Sequence, residues 1–239
     1  MGGTKAHFFR QSAGGVEGGL HHYSFEETSG ITVFDSIGET NGTIQGTPTF
    51  GEVGRVGSCL SVVGPNQKIQ FDTDLGLTTA NFLDGGFTVR LWFFMETLLS
   101  ATLFGPSNST SFEGINISFQ KWFTNGRVNV QCAGGIYGGS TVYTSDVIAV
   151  SLGWNQVSVR VNAFHDVDIL LNNVVLNKVI NSESTTNWDF DTATYRLIMS
   201  RTGVLTDHLL DEISTFDKAL TDEELTTYYE LELAGTSII

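Results

Sequence analysis

The sequence predicts an all-β domain of antiparallel strands, and three observations carry that prediction. Apolar and polar residues alternate in short runs, as in Ile115-Asn116-Ile117-Ser118-Phe119-Gln120 and Arg127-Val128-Asn129-Val130-Gln131-Cys132. A period of two marks strands that turn one face to a core. Glycine (27) and phenylalanine (17) are abundant while charged residues make up 16%, the balance of many short strands joined by glycine-bearing turns. The third observation is the end of the chain, residues 209–225, which reads as a strand, a turn and a capped helix.

The elements follow in order. Residues 1–19 hold Gly2, Gly3, Gly14, Gly15, Gly18 and Gly19, with Phe8-Phe9 the one bulky apolar pair. With no apolar periodicity, this segment reads as an arm that does not fold on its own, either a disordered tail or one whose two aromatics would dock on a neighbouring subunit. From His22 onward the pattern is strands, one of them Phe87-Thr88-Val89-Arg90-Leu91-Trp92-Phe93, with Phe87, Val89, Leu91 and Phe93 on one face. Gln156 to Val161 repeats the alternation. Val167 to Leu171 and Val174 to Leu176 flank Asn172-Asn173, a hairpin, because asparagine tolerates the positive φ such turns need. Thr194 to Ser200 is the last long strand before the closing segment. There Thr221 is placed as N-cap with Glu224 three residues on, the capping-box spacing. Leu225, Tyr228, Tyr229 and Glu232 give the helix one apolar and one wet face. The expected organisation is an arm over residues 1–19 and one domain over 20–239.

Composition excludes some partners. Net charge is 12 − 26 = −14, and residues 205–239 hold nine acids against Lys218 alone. An acidic surface repels nucleic acid and anionic lipid. No run reaches the roughly 18 apolar residues of a membrane helix, and the start lacks the apolar stretch of a signal peptide. The chain is therefore expected to be made and used outside the secretory pathway, and the acceptor patterns at Asn41, Asn108 and Asn116 carry no weight. Cys59 and Cys132 are expected to be buried free thiols acting as small apolar residues.

With the strands in order, the chain resembles the concanavalin A-like lectin/glucanase jelly rolls of the laminin-G-like type, over about residues 20–233. The segment His22 to Gly30 resembles that family's first strand and acidic-glycine turn. Val33-Phe34-Asp35-Ser36 with Asn41-Gly42-Thr43-Ile44 is similar to its first loop. Gly54 to Val62, Phe87 to Trp92 and Leu210 to Tyr228 are similar to later strands and the closing strand and helix. Gly153-Trp154-Asn155-Gln156-Val157 sits where the family tends to have Trp-His-His-Val, so both histidines are missing. The resemblance implies a two-sheet antiparallel jelly-roll sandwich with a short C-terminal helix, preceded here by the extended arm.

The fold hosts lectins, adhesion domains, virion proteins and some glycosidases, so function must be argued from sites. A retaining glycosidase needs two carboxyls about 5–5.5 Å apart; Asp166 and Asp168 alternate but lead into Ile169-Leu170, and Asp211-Glu212 offers no acid at the needed offset. No enzyme is expected. Calcium takes oxygens from carboxylates, amides and carbonyls, and related jelly rolls hold one ion between first loop and closing strand. The matching residues are Asp35, Asn41, Thr43 and Asp211, with Glu39 able to add a carboxylate; one structural Ca2+ is the expectation. The competing reading is that Asp35 and Asn41 support a turn and Asp211 is a hydrogen-bonded buried acid. Sugar binding needs aromatic platforms beside polar groups. Arg90 and Trp92, outward on a central strand, and Trp122 and Tyr137 are the candidates, against a reading in which Trp92 packs on the second sheet and Trp154 and Trp188 plug the core.

Two function classes remain. The favoured one is a structural and interaction protein of a virus particle, a bacteriophage capsid decoration or tail-associated protein. It would be homo-oligomeric, joined to other virion subunits through Phe8 and Phe9, and placed to touch host glycans. The alternative is a stand-alone, extracellular lectin or carbohydrate-binding module.

Overall fold

A computed structural model describes residues 18–63, 67–71, 73–96, 101–106, 114–119, 127–133, 140–145, 150–162, 166–182, 188, 190, 195–198 and 207–239. Two antiparallel sheets enclose one apolar core. The first sheet holds β1 (Gly19–Tyr23), β4 (Thr49–Val53), β5 (Ser58–Val63) and β7 (Phe87–Met95). It is completed by β12 (Gly153–Val161), β13 (Val167–Leu171), β14 (Val174–Val175) and β17 (Asp207–Phe216). The second holds β2 (Thr32–Val33), β3 (Gly42–Gln45), β6 (Lys68–Gln70), β8 (Ala101–Pro106) and β9 (Gly114–Phe119). To these it adds β10 (Val128–Ala133), β11 (Ser140–Ser145), β15 (Lys178–Ser182) and β16 (Tyr195–Ile198). Helices α1 (Thr79–Asp84) and α2 (Asp222–Leu233) complete the described elements.

The order of the first sheet is β14-β13-β12-β7-β17-β5-β4, with β1 also on β17; that of the second is β15-β11-β10-β9-β8-β16-β6-β3-β2. The alternation read from sequence sets the core. Phe87, Val89, Leu91 and Phe93 of β7 point inward, as do Ile115, Ile117 and Phe119 of β9 and Val128, Val130 and Cys132 of β10. The Asn172-Asn173 turn forms as expected, with φ of 50° and 62°. Trp188 lies in the core beside Phe82 and Phe190. Trp154 does not: it is half-buried and edges onto Phe94.

The closing strand β17 is the hinge of the first sheet. Along one side it pairs β7; along the other it pairs β5 through its first half and β1 through its second. The change of partner coincides with a bulge: Asp211 faces Trp92 and Ser214 faces Arg90, so β17 spends one residue more than β7. The extra residue is Glu212, at φ 46°. A bulge resets which face each side chain takes, and this one keeps Leu210 and Ile213 in the core while both acids leave it. The arm boundary shifts slightly: Gly19 pairs Phe216 and the Gly18 carbonyl accepts the Asp217 N–H, so these two glycines belong to the sheet. Phe8 and Phe9 lie outside the described residues.

Helix α2 begins with the capping box read from sequence: Thr221 Oγ1 accepts from Glu224 N at 3.2 Å, and Glu224 Oε2 from Thr221 N at 2.8 Å. It lies on the outer face of the first sheet, where Leu225 and Tyr228 pack with Phe216, Leu220, Leu170 and Ile238 in a second, smaller apolar cluster. At its last turn Glu232 is fully buried. Its Oε2 accepts from Arg90 Nη2 (2.9 Å), Trp92 Nε1 (2.6 Å) and Gln156 Nε2 (2.6 Å). Removing one partner of a buried ion pair leaves the other charge uncompensated, at a cost of about 3–5 kcal/mol. Glu232→Ala is expected to destabilise the domain by that amount in denaturant unfolding, whereas Glu230→Ala, one turn position away on the exposed side, should fall within about 0.5 kcal/mol of the parent.

Candidate functional site

The first sheet's outer face is closed. Arg90 and Trp92 do point outward, but α2 covers them, leaving Arg90 0% and Trp92 2% exposed. Tyr229 stacks on Trp92 with centroids 5.5 Å apart, and the Arg55 guanidinium lies 5.2 Å from the Trp92 ring while bonding the Leu233 carbonyl. Arg90 in turn lies 5.3 Å from the Tyr228 ring. Neither Arg90 nor Trp92 can meet a sugar, and Trp92 packs on the helix rather than the second sheet. Sequence could not foresee this, because α2's residues look like a free amphipathic helix. Trp122 and Tyr137 lie outside the described residues.

Two further buried polar groups flank the bulge. Asp211 accepts from Val56 N (Oδ2, 2.9 Å) and Glu212 N (Oδ1, 2.9 Å), closing the β4–β5 turn. Burial pushes its carboxyl up to about 8, with neighbouring Glu212 adding to the rise and the N–H donors opposing it. The same burial, helped by Asp211, pushes the Cys59 thiol up to about 12. Cys132, in the core between the sheets, is likewise raised by burial. Both cysteines are free and buried, and neither is activated as a thiolate.

Glu212 turns to His22 and the chain's end. His22 Nε2 meets Glu212 Oε2 at 3.1 Å and Ser237 Oγ at 3.3 Å, while Nδ1 meets Ser214 Oγ at 2.9 Å. Glu212 and Ser237 thus share Nε2 while Ser214 takes Nδ1, and His22, Glu212 and Ser214 are all buried. The cluster ties the C-terminal residues down.

The four residues expected to share calcium are not brought together. Asp35 and Asn41 do meet, through Asp35 N and Asn41 Oδ1 at 3.0 Å. The Asp35 carboxylate, however, is occupied by the N–H groups of His22, Ile37, Gly38 and Thr40 and by the His21 ring. Burial alone would raise its carboxyl, but the bonds from His21, His22 and Gly38 outweigh it and hold it below the usual range. Thr43 is exposed on β3 of the second sheet, and Asp211 is engaged across the first. Among the described residues no group of three or more His, Cys, Asp or Glu is placed to hold a metal ion. Four amides and an imidazole do at Asp35 what an ion would have done, so the residues do not fit a calcium site. The turn-supporting reading of Asp35 and Asn41 is the one the geometry carries.

The outer face of the second sheet is open in part, although Ser118, Asn129 and Thr144 on it are buried. None of its strands contains an Asp or Glu, although the chain has 26. Among its outward positions are amides and hydroxyls aligned by register: Thr43 opposite Gln70, and Asn116 opposite Gln131. Thr43 is exposed, and Gln70, Asn116 and Gln131 are half-buried. Gly105 matters here because a Cβ would come within 2.5 Å of Asn116 Nδ2. Without that carbon the amide lies across the strand, and the row is shallow at its middle. Asn116 and Gln131 were visible in sequence as the polar half of alternating strands. Their alignment across strands distant in sequence was not.

No protein-family profile and no curated sequence matches the chain. Solved structures do. The binding domain of botulinum neurotoxin DC in complex with rat synaptotagmin II superposes with TM-score 0.66 at 11% identity, over 90% of this chain and 52% of that one. The botulinum neurotoxin type G receptor binding domain gives 0.64 at 12%, over 90% and 51%. A structure of botulinum neurotoxin type C, whose cell entry is dependent upon interaction with two ganglioside molecules, gives 0.65 at 11%, over 90% and 51%. The chain thus spans about half the length of the chains it matches. The likeness supports a lectin-like jelly-roll sandwich; it does not single out the laminin-G-like type.

Stability should follow the Asp211 carboxyl. Its folded value lies above the unfolded one of about 3.9, so its contribution is full below that range and is lost as pH rises toward about 8. The melting temperature is expected to fall from pH 5 to pH 8, and the fall to be shallower in Asp211→Asn, as followed by circular dichroism; an equal slope in the two proteins would contradict the assignment.

Proposed function

We propose that this chain is a non-catalytic carbohydrate-recognition domain whose ligand lies across the outer face of the second sheet. One observation carries the reading: α2 covers the middle of the first sheet's outer face, while the second presents a carboxylate-free row of Thr43, Gln70, Asn116 and Gln131, with the Asn116 amide lying over Gly105. Amides carry donor and acceptor on one planar group, the pairing that a ring of hydroxyls answers. Two similar structures, of a type C neurotoxin whose cell entry is dependent upon interaction with two ganglioside molecules and of a neurotoxin DC binding domain in complex with SialylT, support the same class of ligand for this fold. They describe domains about twice as long, so the ligand is carried over as a proposal.

The setting we propose is a particle surface, with Phe8 and Phe9 anchoring the domain to neighbouring subunits and the second sheet turned outward. This rests on the glycine-rich composition of residues 1–17. Because β1 starts at Gly19, a deletion of residues 1–17 leaves that strand whole.

Asn116→Ala or Gln131→Ala is expected to weaken oligosaccharide binding about three- to tenfold, the worth of one net hydrogen bond, with an unchanged melting curve; unaltered affinity in both would place the ligand elsewhere. Deleting residues 1–17 is expected to abolish oligomers in sedimentation while the domain melts as before. Oligomers that survive the deletion would remove the arm from the reading.

A further inference from the structure

We infer that the ligand of the second sheet is an extended oligosaccharide, with the ring at one end stacked on Phe34. The inference rests on the carbohydrate reading of that face and names the form of its ligand. The polar row reaches beyond its amides. Thr32 on β2 lies opposite Thr43, Thr43 lies opposite Gln70, and the register runs on through β16 to Gly105, over which the Asn116 amide lies. Five strand spacings separate β2 from β9, roughly 24 Å at about 4.8 Å each. A single sugar ring cannot touch both ends. Phe34 follows β2 directly, and Val33 before it is buried in the core, so by strand alternation Phe34 shares the outward side of Thr32.

Phe34 is 60% exposed, and among the described residues no other Phe, Tyr or Trp is exposed. A lone exposed apolar side chain is ordinary, but this one stands on a fixed backbone. The Phe34 N–H donates to Glu27 Oε1 at 2.7 Å, and the Asp35 N–H to Asn41 Oδ1 at 3.0 Å. The Asp35 carboxylate in turn gathers the N–H groups of His22, Ile37, Gly38 and Thr40. The bonds that occupy Asp35 in place of an ion thus hold the chain still beneath an open ring. An aromatic face is electron-rich and its partners meet it with positive edges; the C–H face of a sugar ring is such an edge. A platform ordered before binding spares the ligand the cost of ordering it. The amides answer hydroxyls along the row, and Phe34 takes an apolar face at its end.

The test is a titration of Phe34→Ala, Phe34→Leu and Phe34→Tyr against a length series of one oligosaccharide that the parent protein binds, from the disaccharide upward. Against the longest members, Phe34→Ala and Phe34→Leu are expected to bind about three- to tenfold more weakly, the scale of one aromatic face contact, while Phe34→Tyr matches the parent. Against the shortest members, held by the amides alone, variants and parent should bind alike. Melting curves should coincide throughout, because the ring is exposed. Parent-like binding of the longest members by Phe34→Ala or Phe34→Leu, or a loss of equal size at every length, would overturn the inference. The carbohydrate reading would then stand or fall separately, on Asn116→Ala and Gln131→Ala. Failure to bind any oligosaccharide would take both down together.

Discussion

Glu232 offers one carboxylate oxygen to a guanidinium, an indole N–H and a carboxamide from two neighbouring strands, all without water. Burial acts to raise its carboxyl, and the Arg90 charge and the Trp92 N–H act to lower it. Each donor on β7 and β12 would be costly to bury alone; gathered on one acceptor, they fix the register of the helix against the sheet. The apolar cluster around Leu225 and Phe216 supplies much of the surface burial, but Glu232 decides where the helix end rests. From that placement follow the stacking of Tyr229 on Trp92, the bond from Arg55 to Leu233, and the descent of the last residues to His22.

That closure divides the molecule into two unlike halves. The first sheet carries acids in β4, β13 and β17, and its cations are largely answered by carboxylates in place. Its outer side is spent on holding α2 and the chain's end. The second sheet carries no acids in its strands and turns amides and hydroxyls outward. A surface that binds must keep hydrogen-bonding groups available, and a surface that packs must use them internally. The two sheets have taken opposite sides of that choice. Much of the buried polar chemistry that looks functional, including the Ser–His–Glu grouping and the two acids of the bulge, belongs to the packing half.

Several features were legible in the residues because they are set by local chemistry. The capping box at Thr221 and Glu224, the Asn172-Asn173 turn and the period-two strands each depend on neighbours within a few positions. The cysteines were read correctly as buried and free for the same reason, since both stand in apolar runs. Sequence reasoning failed where a residue's role depends on a distant partner. Arg90 and Trp92 carry the chemistry of a sugar platform and sit outward as expected, yet a helix some 130 residues later covers them. Asp35 and Asp211 have the chemistry of calcium ligands, but amide groups occupy the one and the β4–β5 turn the other.

What the sequence by itself determined is therefore the list of elements and their inward and outward faces, because alternation and caps are encoded one turn or one strand at a time. The tertiary structure alone decided which outward face stays open. That depended on the bulge at Glu212, which no periodicity announces, and on where one carboxylate in the last turn of α2 found its donors. A buried charge must be paired and its partners come from other strands, so its destination is a property of the assembled sheet.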